Sequence, residues 1–335
     1  GKSYCLYDTV VREAIENPDK NYLVIVPEQF TMQTQKDLCL AHPKGGIMNI
    51  DVLSFGRLAY RVFEEVGQDA RVVLDDEGKN LVLRKIAGEC EKDLKVFKGN
   101  LKKQGYISEV KSVLSEFAQY GVDFERLDDF MKEVPPESYL HYKLDDIRTI
   151  YEKFEEYLSE KYITKEEMLD VLSDAVPYSD ILKGSVVAMD GFTGFTPVQN
   201  RLIGELFSVC EKVMITVMMD GRENPYVYEH PYQIFALGKQ MVTSLMKIAG
   251  EKKTEIEEPI CLFERPVYRF RDCSEMAFLE TELFRYSGAK YNGSCESVSL
   301  HEVRSPGKEA KYVAESIRRL VRTKGYRYRD IAVIA

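Results

Sequence analysis

Short apolar runs alternate with helical patterns at the start of the chain. Residues 22–26 (YLVIV) are apolar throughout, and a shorter strand-like segment, IDVL, follows at 50–53. After each run, apolar positions recur at helical spacing, over 30–41 and 55–66, and Ser54 is a candidate N-cap for the second helix. Continuous apolar runs of this length are typical of strands that are buried on both faces. The alternation therefore predicts a parallel sheet covered by helices.

Between about residue 75 and residue 180 the strand-like runs give way to long charged stretches. Apolar positions there follow helical spacing, and β-branched runs are few. The predicted helices lie at 77–90, 107–119, 139–161 and 165–175. We expect residues 76–183 to form an all-helical domain, inserted into an α/β domain because strand-like runs resume after it.

Strand-like runs return after the helical stretch. They lie at 186–189, 213–217, 297–303 and 331–334. The helices predicted among them lie near 197–209, 231–249, 275–287 and 308–324. Residues 1–75 and 184–335 should therefore form one α/β domain with a mostly parallel sheet. Within it, we expect the strands at 22–26, 50–53, 186–189 and 213–217 to lie side by side.

Length and composition indicate a globular protein of two domains. The 335 residues exceed what one ordinary core holds, and 44% are hydrophobic and 30% charged. There is no apolar run of about 18 residues and no secretion signal. Seven scattered cysteines without a C-x-x-C pair indicate reduced thiols and a cytoplasmic location. The net charge of −9 argues against general nucleic-acid binding but allows a narrow local groove.

The first three residues match the end of a phosphate-binding loop. Gly1-Lys2-Ser3 is the last part of G-x-x-x-x-G-K-[ST], and a helical pattern follows it. In that motif the lysine and the serine hold phosphate and Mg²⁺. Far downstream, the run at 186–189 is followed by Asp190, and a buried strand that ends in an acid is the second half of such a site. The pair predicts a P-loop NTPase fold of the helicase type, and the candidate nucleotide-binding residues are Gly1, Lys2, Ser3 and Asp190.

The motor chemistry of such a fold is expected to be missing. In an active helicase of this type, a glutamate that orients the attacking water follows the acid, and here the residue is Gly191. A chance match is the alternative for so short a motif, and an acid at a strand end commonly caps the next turn. The order of the two motifs favours a nucleotide site. We expect the chain to begin inside the loop, to bind ATP weakly or not at all, and to lack catalytic activity of its own.

Three segments at the ends of predicted strands carry aromatic, hydroxyl and guanidinium groups. They are VPEQFT at 26–31, VLSFGRLAY at 52–60 and DGFTGFTPVQ at 190–199. Parallel strands end at one edge of a sheet, and open α/β sheets bind ligands there. Aromatic faces and an arginine suit the stacking of single-stranded bases and contact with phosphates. The candidate DNA-binding residues are Gln29, Thr31, Phe55, Arg57, Tyr60, Phe192 and Phe195.

Each segment also has an interpretation without a ligand. Gln29 or Thr31 would cap the turn between strand and helix, and Phe55 and Tyr60 would be core residues at helical spacing. Thr196 followed by a proline is the pattern of an N-cap and a first helical residue. Three such loops at one edge favour a surface for an unpaired strand.

Taken together, the segments resemble the AddB family, the second subunits of bacterial AddAB helicase–nucleases, and more remotely the UvrD-like helicases. The resemblance rests on GKS, VPEQFT, VLSFGRLAYR, DGFTGFTP and KGYRYRDIAV, in this order along the whole chain. It implies the N-terminal third of a larger subunit, an ATPase-like α/β domain with a helical insertion, whose last residues begin the next domain. Gly191 agrees with the catalytic acid that the family has lost.

The resemblance also implies a function. AddAB complexes repair double-strand breaks by homologous recombination, and their AddA partner is the translocating motor. The helicase-like core of AddB guides the 3′-ended single strand and recognises the Chi signal without unwinding DNA. ATP and Mg²⁺ would bind in the full-length protein, while an iron–sulfur cluster belongs to a nuclease domain downstream of this chain. No membrane partner is expected.

Two other functions stay open. An autonomous P-loop enzyme, either a kinase or an active helicase, would need a general base beside Asp190 and a second helicase half. A scaffold that docks the AddA motor would use the same aromatic residues as an interface. Aromatic residues in protein interfaces usually form one apolar patch, whereas those that stack on DNA line a groove with arginine and hydroxyl groups between them. The spacing favours the groove.

Overall fold

The computed structural model describes residues 1–67, 72–101, 103–159 and 161–334. The chain divides into two compact units, Gly1–Phe263 and Glu264–Ala335. The strands are β1 Tyr22–Ile25, β2 Ile50–Leu53, β3 Val72–Leu74, β4 Tyr162–Thr164, β5 Val186–Met189 and β6 Lys212–Ile215. The helices are α1 Lys2–Glu16, α2 Thr31–Ala41, α3 Phe55–Val66, α4 Asp76–Glu89, α5 Gln104–Tyr120, α6 Phe124–Glu133, α7 Tyr139–Leu158, α8 Glu167–Ala175, α9 Pro197–Val209, α10 Ala236–Lys252, α11 Ser274–Glu282 and α12 Pro306–Lys324.

The first unit is built on a parallel sheet of four strands in the order β2-β1-β5-β6. Each neighbouring pair is parallel, and the central strands β1 and β5 are buried along their whole length. The prediction that these four strands lie side by side is confirmed, as is the α/β class with a mostly parallel sheet. No described residue of 76–183 enters this sheet.

The two faces of the sheet have separate apolar cores. Along β1, Leu23 and Ile25 belong to the core under α3, α8 and α9, whereas Tyr22 and Val24 belong to the core under α1 and α2. Successive side chains of a strand point to opposite faces, so a strand covered on both faces must be apolar at every position. This is the physical reason for the continuous run YLVIV.

The segment predicted to be all-helical contains a strand. Helices α4, α5, α6 and α7 do share a core of their own, with Leu83, Ile107 and Ile150 at its centre. However, β4 pairs in parallel with β3 in a separate two-stranded sheet, and Ile163 and Leu172 pack in the core of the main sheet. The prediction for 76–183 is corrected accordingly, because a three-residue strand is too short to interrupt a helical pattern visibly.

The second unit contains α11 and α12 but no strand among its described residues. Ser297–Val303 and Ile331–Ile334, for which the apolar pattern predicts strands, have no strand assignment. A strand persists only where its backbone groups pair with a neighbour, and the described residues 264–334 offer none. The two strands predicted in this unit are therefore not found among its described residues, and β6 is the last strand of the described sheet. α12 starts with Pro306 after the N-cap Ser305, close to the predicted bounds.

None of the described helices combines the length and the apolar character needed to cross a lipid bilayer.

Candidate functional site

The three predicted loops lie at the same edge of the sheet. Ile25, the last residue of β1, is in register with Leu53 of β2 and with Met189 of β5, which is in register with Ile215 of β6. The chain leaves all four strands at this carboxyl edge. The segments that follow β1, β2 and β5 are therefore neighbours, as the sequence predicted.

Three phenylalanine rings join the second and third loops. The ring of Phe55 lies 5.4 Å from that of Phe192 and 6.5 Å from that of Phe195, and the latter two rings are 5.2 Å apart. The tilted and edge-on arrangements are those that aromatic pairs prefer. Phe55 is 8% exposed and belongs to the core of the sheet, with the other two rings packed against that core. We call these three residues the phenylalanine cluster.

Helix caps fix where the cluster begins. The Ser54 hydroxyl accepts a hydrogen bond of 3.4 Å from the backbone N–H of Arg57, so α3 starts at Phe55. Thr196 and Gln199 form a capping box at the start of α9. The predicted capping roles of both segments are thus correct, and each cap sits beside a ring of the cluster.

The first loop contacts the third through a glycine. Gly191 has φ +81°, and a Cβ built on it would lie 3.4 Å from Cδ of Pro27 and 3.7 Å from the ring of Phe30. A positive φ is adopted most readily by glycine, and a side chain here would also face the first loop. Gly191 therefore suits the backbone conformation at the position where the sequence predicts the absence of a catalytic glutamate.

Of the seven candidate DNA-binding residues, three are exposed, two are buried and two are half-buried. Gln29, Arg57 and Tyr60 are exposed, and 55% of Tyr60 faces solvent. Arg57 and Tyr60 are three residues apart on α3, so their side chains are neighbours on one helix face. These three residues are placed where a nucleic-acid strand could reach them.

Two of the candidates are buried, and a direct contact with DNA does not fit them. Thr31 is 5% exposed, and its hydroxyl donates a hydrogen bond of 3.0 Å to the carbonyl oxygen of Glu28. Phe55 lies in the apolar core of the sheet, where its ring contacts the other two rings of the phenylalanine cluster. Burial does not favour the predicted contacts, because a buried ring cannot stack on a base and the Thr31 hydroxyl closes a turn, and in this structure both residues support the loops. Phe192 and Phe195 are half-buried and present part of their surface.

Two exposed apolar side chains beside Gln29 were not among the residues that the sequence indicated. Phe30 is 47% exposed and Met32 is 82% exposed. Phe30 lies within VPEQFT, at the start of the helical pattern over 30–41. Their position directly after a strand could have indicated them, since a segment at the carboxyl edge of a sheet exposes residues that the middle of a helix would bury.

The residues proposed to bind nucleotide lie at two places on the first unit. Gly1 is the N-cap of α1, and the N–H of Cys5 donates a hydrogen bond of 3.0 Å to its carbonyl oxygen. Lys2 and Ser3 are half-buried in the first turn of this helix. A helix N-terminus with free N–H groups and a lysine suits phosphate. The sequence prediction for these three residues is therefore compatible with the structure.

Asp190 follows β5 and is engaged by two hydroxyl groups. It is 6% exposed, and its carboxylate accepts hydrogen bonds from the hydroxyls of Tyr7 (2.9 Å) and Thr216 (2.5 Å), one at each oxygen. Burial, together with the charge of Asp190, raises the pKa of Tyr7 to about 12, so the phenol keeps its proton at neutral pH. Each carboxylate oxygen of Asp190 accepts one of these hydrogen bonds and keeps a further lone pair.

The sequence matches known proteins over its whole length. Residues 1–280 match the family described as "ADDB, N-terminal". The chain is 41% identical over 339 residues to the B subunit of the ATP-dependent helicase/deoxyribonuclease of Lachnoclostridium phytofermentans. It is 32% identical to the protein of the same name from Clostridium tetani and 35% identical to that from Thermoanaerobacter pseudethanolicus. In each case all of this chain is covered, and it spans 29% of the length of the relative.

Proposed function

This chain belongs to the AddB family, whose N-terminal region it matches, and from that premise we propose that it binds and guides single-stranded DNA in a helicase/deoxyribonuclease complex. Its relatives are named as the B subunit of an ATP-dependent helicase/deoxyribonuclease, which implies a second, partner subunit. The proposed partner is an AddA-type motor, and the proposed process is double-strand break repair by homologous recombination. The DNA would be the 3′-ended strand, within which the site would recognise a Chi sequence.

The observation that carries this proposal is that exposed side chains and buried side chains that hold the loops lie together at the carboxyl edge of the sheet. Tyr60 offers a ring for base stacking, and Arg57 beside it offers a guanidinium for phosphate or a base edge. Gln29 offers amide donor and acceptor atoms from the neighbouring loop. The phenylalanine cluster and Thr31 would hold these loops in place. A surface that combines stacking, charge and amide groups suits a nucleic-acid strand.

The proposed role does not include a motor. Gly1, Lys2 and Ser3 would hold the phosphates of ATP in the full-length protein, where Mg²⁺ would supply charge neutralisation. Asp190 would contribute through the remaining lone pairs of its carboxylate oxygens, since each oxygen already accepts one hydrogen bond, from Tyr7 or from Thr216. Gly191 offers no base to activate water, which also argues against an autonomous NTPase or an active helicase. The proposed iron–sulfur cluster lies in the nuclease part outside this chain, and the proposed location is the cytoplasm.

A docking surface for the partner subunit is the second candidate. It is favoured by the exposed apolar side chains of Phe30 and Met32, because exposed apolar groups often mark protein interfaces. The two candidates differ in what they need from Arg57, since a guanidinium matters to a phosphate backbone but less to an apolar patch.

The test is fluorescence anisotropy of 3′-tailed oligonucleotides with the reconstituted two-subunit complex over a series of salt concentrations. Loss of one stacked base costs about 1–3 kcal/mol, so Tyr60→Ala should weaken binding about tenfold. Arg57→Ala should weaken binding and reduce the salt slope by about one if it contacts phosphate. Tyr139→Ala is the matched control, because Tyr139 is 73% exposed on α7, away from this edge.

The result separates the two candidates. Weaker DNA binding with intact subunit assembly supports the proposed function. DNA binding like that of the wild type in the Arg57→Ala/Tyr60→Ala double variant overturns it, and a loss of subunit assembly in the same variant establishes docking instead.

A further inference from the structure

A chain of buried hydroxyl groups crosses the first unit just beneath the carboxyl edge. The Tyr7 hydroxyl lies 3.2 Å from the hydroxyl of Thr34 and 2.9 Å from Oδ2 of Asp190, and Oδ1 of Asp190 accepts from Thr216. Tyr7, Thr34 and Asp190 are each less than 9% exposed. Four elements therefore meet in one polar network inside an apolar core: α1, α2, the end of β5 and the end of β6.

The chemistry of the groups fixes the direction of the hydrogen bonds. A carboxylate only accepts, so the Tyr7 hydroxyl donates to Asp190. Tyr7 has one proton to donate, and its oxygen must accept from Thr34. The Tyr7 hydroxyl thus donates a hydrogen bond to Asp190, at the end of β5, and accepts one from Thr34, on α2.

The network spans the two loops that the proposed function uses. Thr34 is three residues beyond Thr31, in the helix that begins at the loop of Gln29. Asp190 is two residues before Phe192 and begins the loop of the phenylalanine cluster. Tyr7 is on α1, which starts at the proposed phosphate-binding residues. By contrast, Arg57 and Tyr60 are on α3, which packs on the other face of the sheet and contributes no group to the network.

We infer that Tyr7 is a positioning residue for the DNA site, whose hydroxyl holds the Gln29 loop and the Phe192 loop in register with each other and with α1. This inference rests on the proposed function. Without the hydroxyl, the buried Oδ2 of Asp190 and the Thr34 hydroxyl would lose a shared partner. The two loops would then shift to find new ones, because buried polar groups are strongly driven to pair.

The test is Tyr7→Phe in the full-length two-subunit complex, with Tyr22→Phe as matched control. Both tyrosines belong to the same apolar core, and Tyr22 is 1% exposed. Tyr22 is the first residue of β1, at the opposite edge of the sheet, so removal of its hydroxyl is the same chemical change away from the loops. Affinity for 3′-tailed DNA should fall roughly three- to tenfold in Tyr7→Phe and stay at the wild-type value in Tyr22→Phe. Melting temperatures are measured for both.

Double-mutant cycles give a readout that a general loss of stability would not change. Tyr7→Phe should be strongly non-additive with Gln29→Ala, because both act through one loop, and additive with Arg57→Ala on α3. Thr34→Ser keeps the hydroxyl and should bind DNA like the wild type, whereas Thr34→Val should behave like Tyr7→Phe.

Each outcome decides between the possibilities. Equal loss of affinity in Tyr7→Phe and Tyr22→Phe, or additivity with Gln29→Ala, overturns the inference and leaves Tyr7 a structural residue. Wild-type affinity in Tyr7→Phe together with weak binding in Arg57→Ala overturns the inference but keeps the proposed function. Wild-type affinity in all of these variants overturns both.

Discussion

The ring of Phe55 is the link between the sheet core and two loops of the candidate site, and Phe55→Leu tests that link. Leucine keeps a buried apolar side chain but removes the ring contacts with Phe192 at 5.4 Å and Phe195 at 6.5 Å. An aromatic pair contributes about 0.5–1.5 kcal/mol beyond its buried area, and an apolar swap of similar volume costs less than about 1.5 kcal/mol. The free energy of unfolding should therefore fall by about 2–4 kcal/mol.

Urea unfolding measures this loss, and Phe154→Leu provides the control. Phe154 is 3% exposed in the core of the helical segment, and no ring pair involves it among the described residues. Its replacement should cost only the packing term, about 1 kcal/mol. The difference between the two variants isolates the contribution of the ring contacts.

Equal losses in the two variants would refute the argument that the cluster is held by ring contacts. The functional part of the prediction is separate. Because the cluster supports the loop of Phe192, Phe55→Leu should also weaken binding of 3′-tailed DNA, whereas Phe154→Leu should not. Wild-type affinity in a Phe55→Leu complex that remains folded would show that the cluster gives the site no support.

Three further predictions concern stability. Burial and the charge of Glu167 raise the pKa of Glu155 from 4.5 to about 7, so the folded state keeps a proton that the unfolded state releases. Stability should then fall by about 2 kcal/mol as pH rises from 4.5 to 7, after allowance for partial exposure, and Glu155→Gln should abolish this fall in urea titrations; an unchanged pH profile would contradict the assignment. Lys79 is 3% exposed and its Nζ lies 2.6 Å from a carboxylate oxygen of Glu166, so Lys79→Met should lower the free energy of unfolding by about 3 kcal/mol. The additional change Glu166→Leu should recover much of this loss, and a double variant no more stable than Lys79→Met would contradict the prediction. Thr196→Ala should cost about 1 kcal/mol in melting experiments by removing a cap, and Thr196→Ser should restore it; equal stability of the two variants would rule out the cap.

The main sheet was predictable because burial on both faces leaves a continuous apolar run in the sequence. The runs at 22–26 and 186–189 correspond to the two central strands, and the order of parallel strands places the loops at one edge. The runs at 297–303 and 331–334 were misassigned, because an apolar run shows a tendency to be buried and does not show whether a partner strand is present.

The candidate site was predictable only in part. The sequence correctly placed the loops after β1, β2 and β5 at one edge of the sheet, but it did not show which of their side chains face solvent. Phe55 and Tyr60 are both aromatic residues of α3, and one is 8% exposed while the other is 55% exposed. The network around Tyr7 had no sequence signal, since this residue stands among the apolar core positions of α1 and its partners lie 27 and 183 residues away.

The small sheet of β3 and β4 determines how the helical segment is attached. The helical segment begins after Leu74, the last residue of β3, and ends before Tyr162, the first residue of β4. Leu74 pairs with Thr164, so Tyr162 lies two residues from the partner of Leu74 along β4. With a strand spacing of about 4.8 Å and a rise of about 3.3 Å per residue, these two points are roughly 8 Å apart. A linker of a few residues could span that gap, so deletion of α4 to α7 would leave the ends of the α/β part within reach of each other. Closure of a long loop costs little more than closure of a short one, about 0.6 kcal/mol for each doubling of length. Replacement of α4 to α7 by a short linker should therefore leave in place the edge that carries Arg57 and Tyr60.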